Sequence, residues 1–163
     1  MGGNMKKGYF YQTIIGNIGI IEEDGFIIEI SFEKTKTNFQ IEETKLIQQT
    51  HQQLEEYFAG KRTEFTIPIK MLGTPFEEKV WQALTTIPYG ETRSYQDIAI
   101  QIGNPKACRA VGMANHKNPL PIIVPCHRVI GKNRKLVGYA GGIGIKEKLL
   151  SIEKFKDNCC YYN

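Results

Sequence analysis

The sequence predicts an α+β chain in two parts: a small N-terminal α/β lobe with an antiparallel sheet and one helix, then a helical domain organised around a helix-turn-helix. Three observations carry this reading. Residues 9–32, YFYQTIIGNIGIIEEDGFIIEISF, are rich in Ile, Phe and Tyr and broken by Gly-Asn and Asp-Gly pairs, the pattern of an antiparallel meander. From Glu42 to Phe58 the apolar residues Leu46, Ile47, Leu54, Tyr57 and Phe58 keep to roughly one helical face, and Gly60 stands where such a helix stops. Beyond Gly73, two helix starts follow one another with only a few residues around Gly103 between the helices.

In order along the chain, the meander divides into three strands and the 42–58 helix closes the lobe. Residues 61–71, KRTEFTIPIKM, read as a strand-like run containing Pro68, and Gly73 breaks it. Thr74 and Pro75 then form the N-cap and first position of a new helix. The boundary falls near 69–73, which gives an N-terminal lobe over 5–70, a C-terminal domain over 71–157 and a tail over 158–163. Ser94 with Asp97 three residues on is a capping-box start, and Asn104-Pro105 supplies N-cap and first position for the second helix. On helical spacing Lys106, Arg109 and Met113 share one face, while Ala107, Ala110 and Ala114 make another that is nearly bare of side-chain bulk. A last helix is expected in GIKEKLLSIEKF, 144–155.

Composition narrows the function classes. With 163 residues, 41% of them hydrophobic, the chain is long enough to bury a core. A net charge of +4 from 21 basic and 17 acidic residues fits a nucleic-acid partner without demanding one. No apolar run is long enough to span a membrane and no signal peptide opens the chain, so a cytoplasmic location is expected. The four cysteines, Cys108, Cys126, Cys159 and Cys160, form no CxxC and have no matching histidine spacing, so reduced thiols and no metal are expected. MGGN before Met5 is set aside as a terminal addition, and Cys159-Cys160 belong to the tail.

The chemistry-bearing stretch is NPLPIIVPCHRVIG, 118–131, where Cys126 and His127 are neighbours. On an extended backbone adjacent side chains point to opposite faces, so the pair cannot simply touch. Taken singly, Cys126 fits an inert buried thiol as well as a nucleophile, and the helix-turn-helix outline occurs in many proteins that never meet DNA.

The combination is more specific. IVPCHRVIG at 123–131 resembles the active-site signature of the O6-alkylguanine-DNA alkyltransferases, the methylated-DNA–protein-cysteine methyltransferases that reverse alkylation damage directly. EYFAGKR at 56–62, GTPFEEKVWQAL at 73–84, IPYGETRSYQDIA at 87–99, GNPKACRAVGMAN at 103–115 and GYAGG at 138–142 are similar to that family in order and spacing. The resemblance implies a ribonuclease H-like N-terminal lobe and a winged helix-turn-helix-like C-terminal domain.

It also implies roles. Cys126 would attack the alkyl carbon on guanine O6, His127 would take the thiol proton through a bridging water, and Glu153 would orient the imidazole. The Tyr95 hydroxyl would donate to the base's ring nitrogen and the Ala140 amide to O6, with the carbonyls of Cys126 and Val129 accepting from the exocyclic amine. Tyr139 and Asn118 complete the implied base pocket, Asn118 by bracing the turn that holds the cysteine. Arg109 would fill the gap left by a flipped nucleotide in the minor groove, with Lys106, Ala110, Gly112, Met113, Ala114 and Arg128 sharing the DNA face. The implied partner is alkylated double-stranded DNA, bound by a monomer without cofactor, and each molecule would act once. The alternatives are an alkylated-DNA sensor that does not repair, a Cys–His hydrolase or transferase of small molecules, and a transcription regulator. The reactive cysteine, the basic and alanine-faced helix, and the length of the chain respectively count against them.

Overall fold

The computed structural model describes residues 5–32, 38–131, 139 and 141–153. The chain divides between Leu72 and Gly73 into two compact units. In the first, β1 (Lys7–Thr13), β2 (Gly16–Glu23) and β3 (Phe26–Ser31) form the expected antiparallel meander. Asp24 and Gly25 both take positive φ, 56° and 81°, as the tight two-residue turn between β2 and β3 requires. A fourth strand, β4 (Gln40–Ile41), is too short to leave a pattern in the sequence and pairs parallel to β1, giving the order β3-β2-β1-β4.

Helix α1 (Lys45–Phe58) lies against β1 and β2 and buries Ile47, Thr50, Leu54, Tyr57 and Phe58. Its start differs from the expected Glu42. The Glu42 amide is held in the sheet by the Gly8 carbonyl at 3.0 Å, and Thr44 caps the helix by accepting from the Ile47 amide at 3.1 Å. It ends at a left-handed Gly60 (φ 75°), where Gly60 and Lys61 donate back to Tyr57 and Glu56. The run 61–71 makes a single parallel bridge, Ile69 to Ile27, rather than a strand. Pro68 offers only its carbonyl, which the Ile27 amide takes at 2.9 Å.

In the second unit, α2 (Pro75–Leu84) opens on a reciprocal capping box between Thr74 and Glu77, with Pro75 in its first turn. Gly73 is required here: a Cβ on it would sit 2.5 Å from the Trp81 ring. The Trp81 indole in turn donates to the Ala114 carbonyl at 2.8 Å and ties α2 to α4. A two-residue strand β5 (Arg93–Ser94) leads into α3 (Tyr95–Gln101), whose capping box is Ser94 with Asp97. Helix α3 closes on Gly103 (φ 81°), with Gly103 donating to Ile100 and Asn104 to Ala99.

The second helix of the motif, α4, spans Cys108–His116, later than expected. Asn104 is spent on closing α3, and its carbonyl accepts from the Ala107 amide at 2.9 Å across a turn with Pro105 as second residue. Helix α4 therefore begins after that turn, without a side-chain cap, and Lys106 lies before it rather than on it. The Cys126–Arg128 segment forms a single 3₁₀ turn, followed by β6 (Val129–Ile130) parallel to β5, and α5 (Ile143–Ile152) ends the described chain.

Candidate active site

Cys126 is buried, 3% exposed, at the head of the 3₁₀ turn. The loop before it is braced by Asn118, whose side-chain amide donates to the Val124 carbonyl at 2.9 Å while its oxygen accepts from the Leu120 amide at 2.9 Å. Ile122 is forced to φ 76°, a conformation costing a β-branched residue on the order of 1–3 kcal/mol, and is fully enclosed. The parallel pair β5–β6, Arg93 opposite Val129 and Ser94 opposite Ile130, fixes the cysteine turn to the start of α3, where Tyr95 stands.

His127 is completely enclosed and its Nε2 lies 2.7 Å from Glu153 Oε2. Burial alone would push the Glu153 carboxyl up, but hydrogen bonds and charge from His127 and Arg128 outweigh it and hold it near about 2. Glu153 is thus an ionised acceptor, so His127 Nε2 carries a hydrogen toward it. Burial pushes the imidazole down, against the raising effect of Glu153, and Arg128 and Lys146 add to the lowering. In the neutral ring the basic lone pair then lies on Nδ1. Burial pushes the Cys126 thiol up to about 11, against hydrogen bonding from Asn118 and Tyr139 and the charge of Lys146. The raised thiol is protonated at neutral pH, and the ring next to it in the chain is oriented by a carboxylate.

Tyr95 is half-buried, and burial followed by the nearby thiols Cys126 and Cys108 pushes its hydroxyl up to about 12, so it remains a proton donor. Next to it, Tyr95, Cys108, Arg109, Gly112, Met113, His116 and Lys117 line a depression of about 540 Å³. Its apolar floor lies beside basic side chains; Arg109 is exposed, as is Met113 at 58%. Gly112 faces Tyr95 with room for a methyl group, since a Cβ there would lie 3.9 Å from the ring.

Two expectations for the DNA face fail. Arg128 is turned inward: its Nε and one Nη bind both oxygens of Glu153 at 2.9 and 3.0 Å, the other Nη reaches the Ile87 carbonyl at 2.7 Å, and the guanidinium lies over the Tyr89 ring. A bidentate carboxylate in a low-dielectric setting outcompetes solvent for it. Ala114 is 2% exposed, pressed inward where Trp81 binds its carbonyl, whereas Ala110 and Gly112 reach the surface. Lys106 is exposed but sits on the turn before α4. Cys108 also lines the depression.

Tyr139 is buried and Val129 fully enclosed. The Cys126 carbonyl already accepts from Asn115 Nδ2 at 3.3 Å and from the Val129 amide, and the Val129 carbonyl from Lys146 Nζ at 2.7 Å. A base amine directed at either oxygen would share it. Asn115 and Lys146 were not among the sequence candidates. Lys146 had a readable signal: 146, 149, 150 and 153 follow the i, i+3, i+4, i+7 spacing, which puts a lysine and a glutamate on the buried face of α5. Ala140, the RKLV stretch at 134–137 and the Cys159-Cys160 tail lie outside the described residues. In the first unit His51 stacks on Tyr11 at 3.7 Å and pairs with Glu55, and among the described residues no His, Cys, Asp or Glu cluster suited to a metal occurs. No helix among them is long and apolar enough to cross a membrane.

Residues 6–71 match the family model described as 6-O-methylguanine DNA methyltransferase, ribonuclease-like domain, and residues 75–155 match the one described as 6-O-methylguanine DNA methyltransferase, DNA binding domain. The chain belongs to this family. Among its methyltransferase relatives, the constitutive methylated-DNA–protein-cysteine methyltransferase of Bacillus subtilis is 51% identical over 152 residues, covering 88% of this chain and 92% of that one. The methylated-DNA–protein-cysteine methyltransferase of Methanosarcina acetivorans is 47% identical over 148 residues, 88% of this chain and 95% of its own. The crystal structure of Mycobacterium tuberculosis OGT in complex with DNA superposes with a TM-score of 0.85 at 41% identity, covering 96% of this chain and 99% of that chain. The fold, a sheet lobe followed by a helical domain, is shared with that structure.

Proposed function

We infer that this chain performs direct-reversal DNA repair as a methylated-DNA–protein-cysteine methyltransferase, moving an alkyl group from guanine O6 in DNA onto Cys126. The observation that carries the reading is the enclosed pair of His127 and Glu153 at 2.7 Å, directly following the buried Cys126 in the chain, with burial lowering the ring and raising the thiol. In the transfer, Cys126 Sγ forms a bond to the alkyl carbon as the C–O6 bond breaks. The thiol proton passes to His127 through a bridging water, as the family resemblance implies. The departing guanine keeps the electron pair and is relieved by donation from the Tyr95 hydroxyl, held protonated by its surroundings. The resulting thioether is a stable C–S bond, so each molecule turns over once.

The O6 atom of a stacked guanine is out of reach of an enclosed thiol, so the nucleotide must be extruded from the duplex. Arg109 fills the vacated position and Ala110 and Gly112 allow close approach within the minor groove; the exposure of Arg109 on α4, where it lines the depression, supports this reading. The protein acts as a monomer in the cytoplasm. The test is intact-protein mass spectrometry after incubation with a duplex carrying one O6-methylguanine, followed by peptide mapping. One methyl increment on the Cys126 peptide, saturating at one per molecule and abolished in Cys126→Ser, is expected. A folded, DNA-binding sample that gains no mass would instead make the chain a damage sensor.

A further inference from the structure

We propose that Asn115 is a specificity-determining residue of the base pocket, its amide nitrogen holding the Cys126 carbonyl and its amide oxygen accepting a hydrogen from the exocyclic amine of the guanine. The proposal rests on the reading of Cys126 as the acceptor of an alkyl group from guanine O6, and names what selects the base. Asn115 lies near the end of α4 and is 2% exposed. Its Nδ2 donates to the Cys126 carbonyl at 3.3 Å. Hydrogen bonding from the same side chain favours the ionised form of Tyr95, so the amide faces that hydroxyl as well. One side chain therefore stands between the nucleophile's turn and the start of α3. A carbonyl can accept only from the nitrogen end of the amide, which fixes the other end as the oxygen. That oxygen, Oδ1, is buried and has no hydrogen-bond partner among the described residues.

A buried acceptor without a donor is costly, and a leucine of similar volume would fill the space without that cost. The position on α4 ties the orphaned oxygen to the base site. Cys108, Gly112 and Asn115 follow the i, i+4, i+7 spacing of one helical face. The first two line the depression beside Tyr95, and Asn115 continues that face into the interior. The chemistry of the substrate then identifies the missing donor. Alkylation at O6 leaves guanine N1 without a hydrogen, N3 and N7 are acceptors, and N9 is bonded to the sugar. The exocyclic amine is the one donor group such a base retains, so a base can satisfy Oδ1 only through that amine. The Cys126 carbonyl is already shared between Asn115 and the Val129 amide, and the Val129 carbonyl is held by Lys146, whereas Oδ1 carries no such commitment among the described residues. A base without the amine leaves Oδ1 enclosed and unpaired, which is how a polar site rejects an analogue that lacks the matching group.

The experiment measures single-turnover transfer to the full chain, below saturation, from two duplexes that differ in one group: one carries O6-methylguanine, the other O6-methylhypoxanthine, which lacks the exocyclic amine. The wild type is expected to react with the first at least about tenfold faster. Asn115→Leu removes the acceptor at similar volume and is expected to bring the two rates within about threefold of each other, chiefly by slowing the guanine substrate. Losing the contact to the Cys126 carbonyl slows both substrates alike, so the ratio separates recognition of the base from a structural role. A folded Asn115→Leu that keeps the wild-type ratio overturns the proposal. Equal rates on the two duplexes in the wild type overturn it without any variant. Asn115→Ala, which favours the helix, takes the place of the leucine variant if that one does not fold, and is judged by the same ratio. Absent transfer from both duplexes is a failure of the repair reading itself; the ratio is then read from the binding of the two duplexes by fluorescence anisotropy, with the same outcomes deciding.

Discussion

Glu153 is the residue on which the site turns, because one carboxylate serves two masters: it orients the imidazole of His127 and neutralises the guanidinium of Arg128. Removing either charged partner from such an enclosed pair leaves the other uncompensated, at a cost of about 3–5 kcal/mol. Arg128→Met is therefore expected to lower the free energy of unfolding by that amount, measured by urea denaturation, while leaving the salt dependence of duplex binding unchanged. Arg109→Ala, by contrast, should leave stability nearly untouched and reduce the slope of log affinity against log salt by about one. Fluorescence anisotropy with an undamaged duplex at several salt concentrations separates the two; a reduced slope for Arg128→Met would return that residue to the DNA face.

Helix α4 carries a glycine, Gly112, that its own packing does not explain. A Cβ there meets only the Tyr95 ring at ordinary contact distance, and glycine in a helix costs about 1 kcal/mol relative to alanine. Gly112→Ala should raise the thermal midpoint in line with about 0.5–1 kcal/mol and weaken duplex binding, since the added methyl faces the depression rather than the core. Stabilisation without loss of binding would show that closeness at this position is not used. The opposite sign is expected at the entrance to α2. Gly73→Ala brings a methyl within 2.5 Å of the Trp81 ring and should destabilise by about 1–3 kcal/mol, measured by urea unfolding.

For the molecule as a unit, the buried charges set its acid limit. Glu153 is held at about 2 against an ordinary 4.5, so the stability it contributes, on the order of 3 kcal/mol, is complete above about 4.5 and disappears as pH falls through about 2. His127 is held below its ordinary 6.5, so the unfolded chain takes up the proton first and stability begins to fall below about 6.5. Urea midpoints are expected to decline between about pH 7.5 and 5.5 and more steeply below about 4.5. A flat midpoint across the first interval would mean that the ring is charged in the folded protein.

Much of this was legible along the chain because it is local. The meander, the Thr74 and Ser94 capping boxes, the glycines that end α1 and α3, and the Cys126-His127 motif all depend on residues within a few positions of each other. Where such signals compete, the outcome was not legible: Asn104 has the chemistry of an N-cap but closes the preceding helix instead, so α4 starts at Cys108. The placement of Arg128 and Ala114 was equally hidden. An arginine beside a histidine reads as a DNA contact until a glutamate 25 positions away is folded against it. An alanine face reads as open until Trp81 from another helix claims its backbone. Burial and charge pairing are properties of neighbours in space, and the energy of a buried ion depends on which opposite charge the fold delivers to it. Sequence spacing names Cys126, His127 and Glu153, whereas the packing of α5 against the cysteine turn brings the Glu153 carboxylate onto the His127 ring.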